Sequence, residues 1–96
     1  MNRNNDRPIK EIIEKLFSSN KLGQRYHETA VIAYWEELMG TAINNRTKEI
    51  YIKNKTLFVR IESSVIVNEL TLMRNQIVQQ LNTRVGKTII EQMVFL

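Results

Sequence analysis

The sequence predicts a two-layer α+β fold with the element order α-α-β-β-α-β. Two stretches carry that expectation. Residues 47–62 alternate as a β-hairpin around Asn54-Lys55, and residues 64–82 space their apolar side chains as one amphipathic helix. A third observation closes the layout. Residues 88–96 are apolar and β-prone, and the helix before them is long enough for a right-handed parallel crossover back to the hairpin. The product is a three-stranded sheet with helices on one face and the other face open to water.

Taken in order, Met1 to Asp6 is polar and expected to be frayed. Pro8 suits a first helical turn, where its missing N–H costs nothing. Ile9, Ile12, Ile13, Leu16 and Phe17 follow at helical spacing, with Glu11–Lys15 as an i, i+4 ion pair on the wet side. The first helix is therefore expected over residues 8–18, as cover for the sheet, with Ser18-Ser19-Asn20 as a break. The second runs from about Leu22 to Met39. Val31, Trp35 and Leu38 mark its buried stripe, and Gly40 ends it as a C′ glycine. Thr41 to Arg46 reads as a short polar connection.

The hairpin register follows from placing Asn54-Lys55 at a two-residue turn, since Asn tolerates the positive φ of primed turns. Ile52 then faces Leu57, Ile50 faces Val59 and Lys48 faces Ile61 on one side. On the other side Tyr51 faces Phe58 and Glu49 faces Arg60. Matched pairs of this kind stabilise by about 0.2–1 kcal/mol each, and a slip of one residue would exchange the faces. Ser63 and Ser64 stand where an N-cap belongs. Ile66, Leu70, Met73, Ile77 and Leu81 then form a single stripe on a helix to Asn82, and Gly86 lies just past its end. In the last segment Ile89, Met93 and Phe95 share one parity, and Ile90, Val94 and Leu96 the other. Apolar residues on both sides point to burial or to a homo-oligomer contact.

Ninety-six residues with 43% hydrophobic and 25% charged side chains are expected to form one domain over residues 1–96. The absence of cysteine excludes disulfides and thiolate chemistry. No apolar run approaches the roughly 20 residues of a membrane span, and no signal-peptide pattern follows the N-terminus, so a cytoplasmic protein without a membrane partner is expected. The net charge of +4 has a location. Arg46, Lys48, Lys53, Lys55 and Arg60 face only Glu49 within residues 46–60, five minus one, while nine basic and nine acidic residues cancel elsewhere. Such a patch attracts phosphate backbones or an acidic protein. It is equally the composition of a strand edge charged against aggregation.

The sequence offers little chemistry. His27 is the lone histidine, without the Cys or clustered carboxylates a metal site needs. The acids show no paired spacing for acid–base work, Ser63-Ser64 is better explained as a helix cap than as a nucleophile, and no Gly-rich phosphate loop occurs. No catalytic residue, metal, cofactor or small-molecule substrate is expected. Trp35 lies on an apolar stripe and reads as core. Tyr51 and Phe58, opposed and flanked by Lys53 and Arg60, fit either a stacking platform for single-stranded nucleic acid or a pair that only stabilises the hairpin.

An ordered set of residues resembles the DciA-like proteins. It comprises Trp35, Gly40, Thr47, a second strand reading Leu57-Phe58-Val59-Arg60-Ile61, then Ser63-Ser64, Glu69-Leu70, Asn82 and Gly86 before a final strand. The likeness spans about Ile9 to Phe95. It implies a KH-like domain in a bacterial accessory protein that binds DNA and the replicative helicase in replication initiation, without enzymatic activity. Three points limit the carry-over, the first being that Ile66 and Val67 stand at the start of the long helix, where the family often carries an aromatic residue. The glycines Gly23, Gly40 and Gly86 make no GxxG, so KH-style RNA clamping is not implied. The longer family members carry a flexible extension that contributes to helicase or DNA engagement, so the resemblance carries binding, but leaves loading open, for a sequence that stops at Leu96. Phosphate contacts are expected from Arg46, Lys48, Lys53, Lys55 and Arg60, with stacking by Tyr51 and Phe58, on single- or double-stranded DNA. The rival reading is a protein-interaction module without nucleic-acid affinity, docking through the open sheet face or through the second helix with Glu28, Glu36 and Glu37.

Overall fold

The computed structural model describes residues 9–13 and 21–96; expectations for Met1 to Pro8, Leu16, Phe17 and Ser18-Ser19-Asn20 fall outside them. The described elements are α1 (residues 9–13), α2 (Lys21–Arg46), β1 (Thr47–Lys53), β2 (Thr56–Ile61), α3 (Ser64–Leu72), α4 (Arg74–Val85) and β3 (Gln92–Phe95). The sheet order is β1-β2-β3, antiparallel between the first pair and parallel between the second. This is the expected α+β arrangement with its parallel crossover. The core joins Val31 and Trp35 of α2, Leu57, Val59 and Ile61 of β2, Leu70 of α3, Ile77 and Leu81 of α4, and Ile90 and Met93 at the last strand.

The hairpin forms as the alternation requires. Asn54 (φ 51°) and Lys55 (φ 59°) make the turn with both residues left-handed, and Ile52↔Leu57, Tyr51↔Phe58, Ile50↔Val59 and Glu49↔Arg60 pair as expected. One pair differs. Thr47, not Lys48, lies opposite Ile61, because a bulge falls between Thr47 and Glu49. The helix–strand junction explains it. Thr47 Oγ1 donates to the Ile43 carbonyl at 2.9 Å and the Glu62 N–H donates to the Arg46 carbonyl at 2.9 Å. These bonds hold Thr47 at the end of the ladder, and Lys48 becomes the extra residue.

Both long helices depart from expectation at a break. Gly40 does interrupt α2, with φ 81° and ψ 176°, a conformation essentially confined to glycine, but residues 41–46 return to helix instead of forming a polar connection. Asn44 Nδ2 bridges the kink by donating to the Glu36 carbonyl at 2.7 Å. The helix expected over Ser64 to Asn82 is two helices. Met73 (φ −106°, ψ 14°) ends α3 and starts α4, donating its N–H to the Leu70 carbonyl and accepting from the Ile77 N–H. The break turns Met73 outward to 45% exposure, so it leaves the stripe that Leu70, Ile77 and Leu81 keep. Leu38, expected in the core, is also exposed, because α2 and α4 diverge there into a groove. Ile9, Ile12 and Ile13 of α1, expected as cover, are exposed by 47–57%.

Ser63 caps α3, its Oγ accepting from the Ile66 N–H at 3.2 Å. Gly86 (φ 87°) ends α4, donating its N–H to the Asn82 carbonyl at 2.8 Å. The Asn82 side chain then fixes the approach to β3. Its Oδ1 accepts from the N–H groups of Ile89 (2.9 Å) and Ile90 (3.1 Å), and its Nδ2 donates to the Ile90 carbonyl (2.8 Å). That grip decides the parity left open by the sequence. Met93 lies beside Leu57 and Phe95 beside Val59 on the inner face, and Val94 beside Phe58 points the other way; Ile90, of the same parity as Val94, is buried all the same because it precedes the strand and its alternation.

Candidate nucleic-acid interface

Because alternate residues share a face, the register assigns the open side of the sheet. It carries Glu49, Tyr51 and Lys53 from β1, Thr56, Phe58 and Arg60 from β2, and Gln92 and Val94 from β3. The Tyr51 and Phe58 rings stack across the two strands, centroids 5.1 Å apart and planes inclined by 20°. Tyr51 is 42% exposed and Phe58 half-buried, so one face of each ring is taken by its neighbour and the outer surface of Tyr51 remains free. Val94 extends the pair into an apolar row across all three strands. The sequence did not place Val94 in this row, since the parity of β3 rests on the Asn82 contacts.

The five expected cations do not form a field of five charges. Arg60 Nε lies 3.5 Å from Glu49, Lys48 Nζ 3.5 Å from Glu62 and Lys55 Nζ 3.8 Å from Glu91. Arg46 donates from Nη1 to the Glu62 carbonyl at 3.3 Å. For Lys53, no carboxylate among the described residues lies within ion-pair reach. Five cations against three carboxylates leave +2 locally. Glu62 and Glu91 lie outside the window in which the excess was counted. The hairpin junction brings in the first, and the backbone bond from the Glu91 N–H to the Lys55 carbonyl (2.7 Å) brings in the second. All three pairs are exposed and worth about 0–1 kcal/mol each, so an arriving phosphate can compete for the cations.

The acidic second helix is partly engaged as well. Arg84 donates to Glu37 Oε1 at 2.8 Å and lies over the Tyr34 ring, 4.8 Å from its centroid. The hydrogen bond to Glu37, then its charge, raises the Arg84 pKa above the ordinary value. His27 packs edge-on against Tyr26, and no group of three His, Cys, Asp or Glu side chains among the described residues is arranged for a metal. No helix among the described residues is long and apolar enough to cross a membrane.

Fold and face together define a class: an α+β domain with a three-stranded mixed sheet, one side packed and the other amphipathic. Residues 8–95 match the family described as Dna[CI] antecedent, DciA, and the chain belongs to that family. A relative from Corynebacterium glutamicum (strain R), described as UPF0232 protein, is 36% identical over 63 residues, which cover 66% of this chain and 35% of the relative. The chain thus spans about a third of the length of that relative.

Proposed function

We propose that this chain is a DNA-binding and replicative-helicase-binding accessory domain of bacterial replication initiation, acting in the cytoplasm by binding and not by catalysis. Membership of the DciA family supports the association with the replicative helicase. The observation that carries the DNA contact is the exposed Tyr51–Phe58 stack on an uncovered sheet face, with Lys53 and Arg60 beside it. Phosphates meet Lys53 first, because the cation sites at Lys48, Lys55 and Arg60 require a carboxylate to be displaced. Arg46 contributes from the hairpin base, and a base rests on the outer surface of Tyr51, with Phe58 behind it.

Titrating a labelled single-stranded oligonucleotide with wild-type protein and with Lys53→Glu/Lys55→Glu tests this reading. Wild-type affinity falls steeply with salt, and the double variant binds more weakly with a flatter salt slope. Equal affinity for the two proteins removes the hairpin from DNA binding. The row Tyr51–Phe58–Val94 favours a second reading, in which this face docks on a protein. Capture of the helicase from nuclease-treated lysate, together with no oligonucleotide binding at low salt, selects it.

A further inference from the structure

Two apolar surfaces of this chain lie unburied and fit one another in kind. The first is α1. Ile9, Ile12 and Ile13 are 56%, 57% and 47% exposed, and their i, i+3, i+4 spacing is the anchor pattern of a helix that seats in a groove. The second is a groove between α2 and α4 that continues past the Gly40 kink to the α3–α4 break. Its two sections share Leu38 and Gln80, and Met39, Ile43, Met73 and Ile77 line the far section. That far section is lined by apolar and glutamine side chains alone, with no ionisable group. An uncharged trough matches an aliphatic stripe and rejects the charged side of the same helix.

We propose that α1 of one copy seats in the α2–α4 groove of a second copy, reciprocally, as a two-fold pair. Reach argues against closure within one chain. Leu38 lies seventeen residues into α2, about 25 Å along its axis at 1.5 Å per residue. Ile13 precedes α2 by eight residues, which span about 27 Å only when fully extended. Closure would therefore need all of residues 14–20 drawn out as straight chain merely to bring Ile13 level with Leu38. Exchange has no such constraint, and it fills two grooves at once. The inference does not depend on the DNA or helicase reading, since neither surface includes a hairpin residue.

The chain has no cysteine, so single cysteines report cleanly. Ile12→Cys and Met73→Cys are prepared separately, each checked for a wild-type circular-dichroism melt, then mixed and oxidised. The mixture gives a disulfide-linked dimer several-fold more abundant than either variant alone, and sedimentation of wild-type protein shows a concentration-dependent dimer that Ile12→Asp and Met73→Asp each reduce at least ten-fold. A wild-type chain that stays monomeric, with no cross-link in the mixture, overturns the proposal in favour of no pairing or of closure. A cross-link of Ile12→Cys with itself, with a dimer indifferent to Met73→Asp, overturns it in favour of α1 against α1.

Discussion

Leu57, Val59 and Met93 on one side of the sheet alternate with Phe58, Arg60 and Val94 on the other, on the same two strands, yet the two sides are held in different ways. The inner side is held by exclusion of water: these three residues are at most 2% exposed and belong to one core with Trp35 of α2 and Ile77 and Leu81 of α4. The outer side is held by pairing among its own members, one ring stack and the loose Arg60–Glu49 ion pair, with two more loose pairs at its margins, Lys48–Glu62 and Lys55–Glu91. Removing a partner inside leaves a cavity that cannot relax, whereas outside water fills the gap. Stability therefore belongs to one face, and the other is free to change its contacts for a ligand.

Four experiments break or sharpen that contrast. Leu57→Ala is expected to cost about 2–5 kcal/mol in urea unfolding, as cavity-forming core truncations do, and Phe58→Ala clearly less. Equal losses at the two positions would mean that the outer face is a second core. Asn82→Ala comes next, at about 1–3 kcal/mol, because it strips the acceptor from two amides and frees the segment that turns Met93 inward. A loss near zero would show that β3 finds its parity without this grip. Glu49→Gln/Glu91→Gln should leave stability within about 1 kcal/mol. It raises the local charge from +2 to +4, so oligonucleotide binding should tighten and its salt slope steepen. The smallest effect is the coupling of Glu49 with Arg60. A double-mutant cycle should give about 0.2–1 kcal/mol, fading as salt is added.

The same division explains what the sequence makes legible. Alternation about Asn54-Lys55 identifies the hairpin and its register, because one face must be apolar and the turn must accept positive φ. Ser63 and Gly86 announce the ends of a helical region through their local chemistry. The bulge at Lys48 has no such mark; it arises from the junction of α2 with β1, which only the folded chain supplies. The break at Met73 is silent for another reason. Along the sequence Met73 is in phase with Leu70 and Ile77, so the spacing reads on through a place where the backbone turns and carries its side chain outward. The pairing of Lys48 with Glu62 and of Lys55 with Glu91 is equally hidden, and so the local charge falls from the +4 counted along residues 46–60 to +2 in space. Core residues are told by pattern, whereas surface charge must be counted where the fold puts it.

The measurement that bears most directly on the account is backbone amide chemical-shift mapping of this 11.3 kDa protein with a short single-stranded oligonucleotide at low salt. Shifts concentrated at Tyr51, Lys53, Phe58 and Val94, and reversed by added salt, are the predicted result. Shifts confined to Tyr34, Leu38 and Gln80 on the helical side, with the open sheet face unmoved, would contradict it.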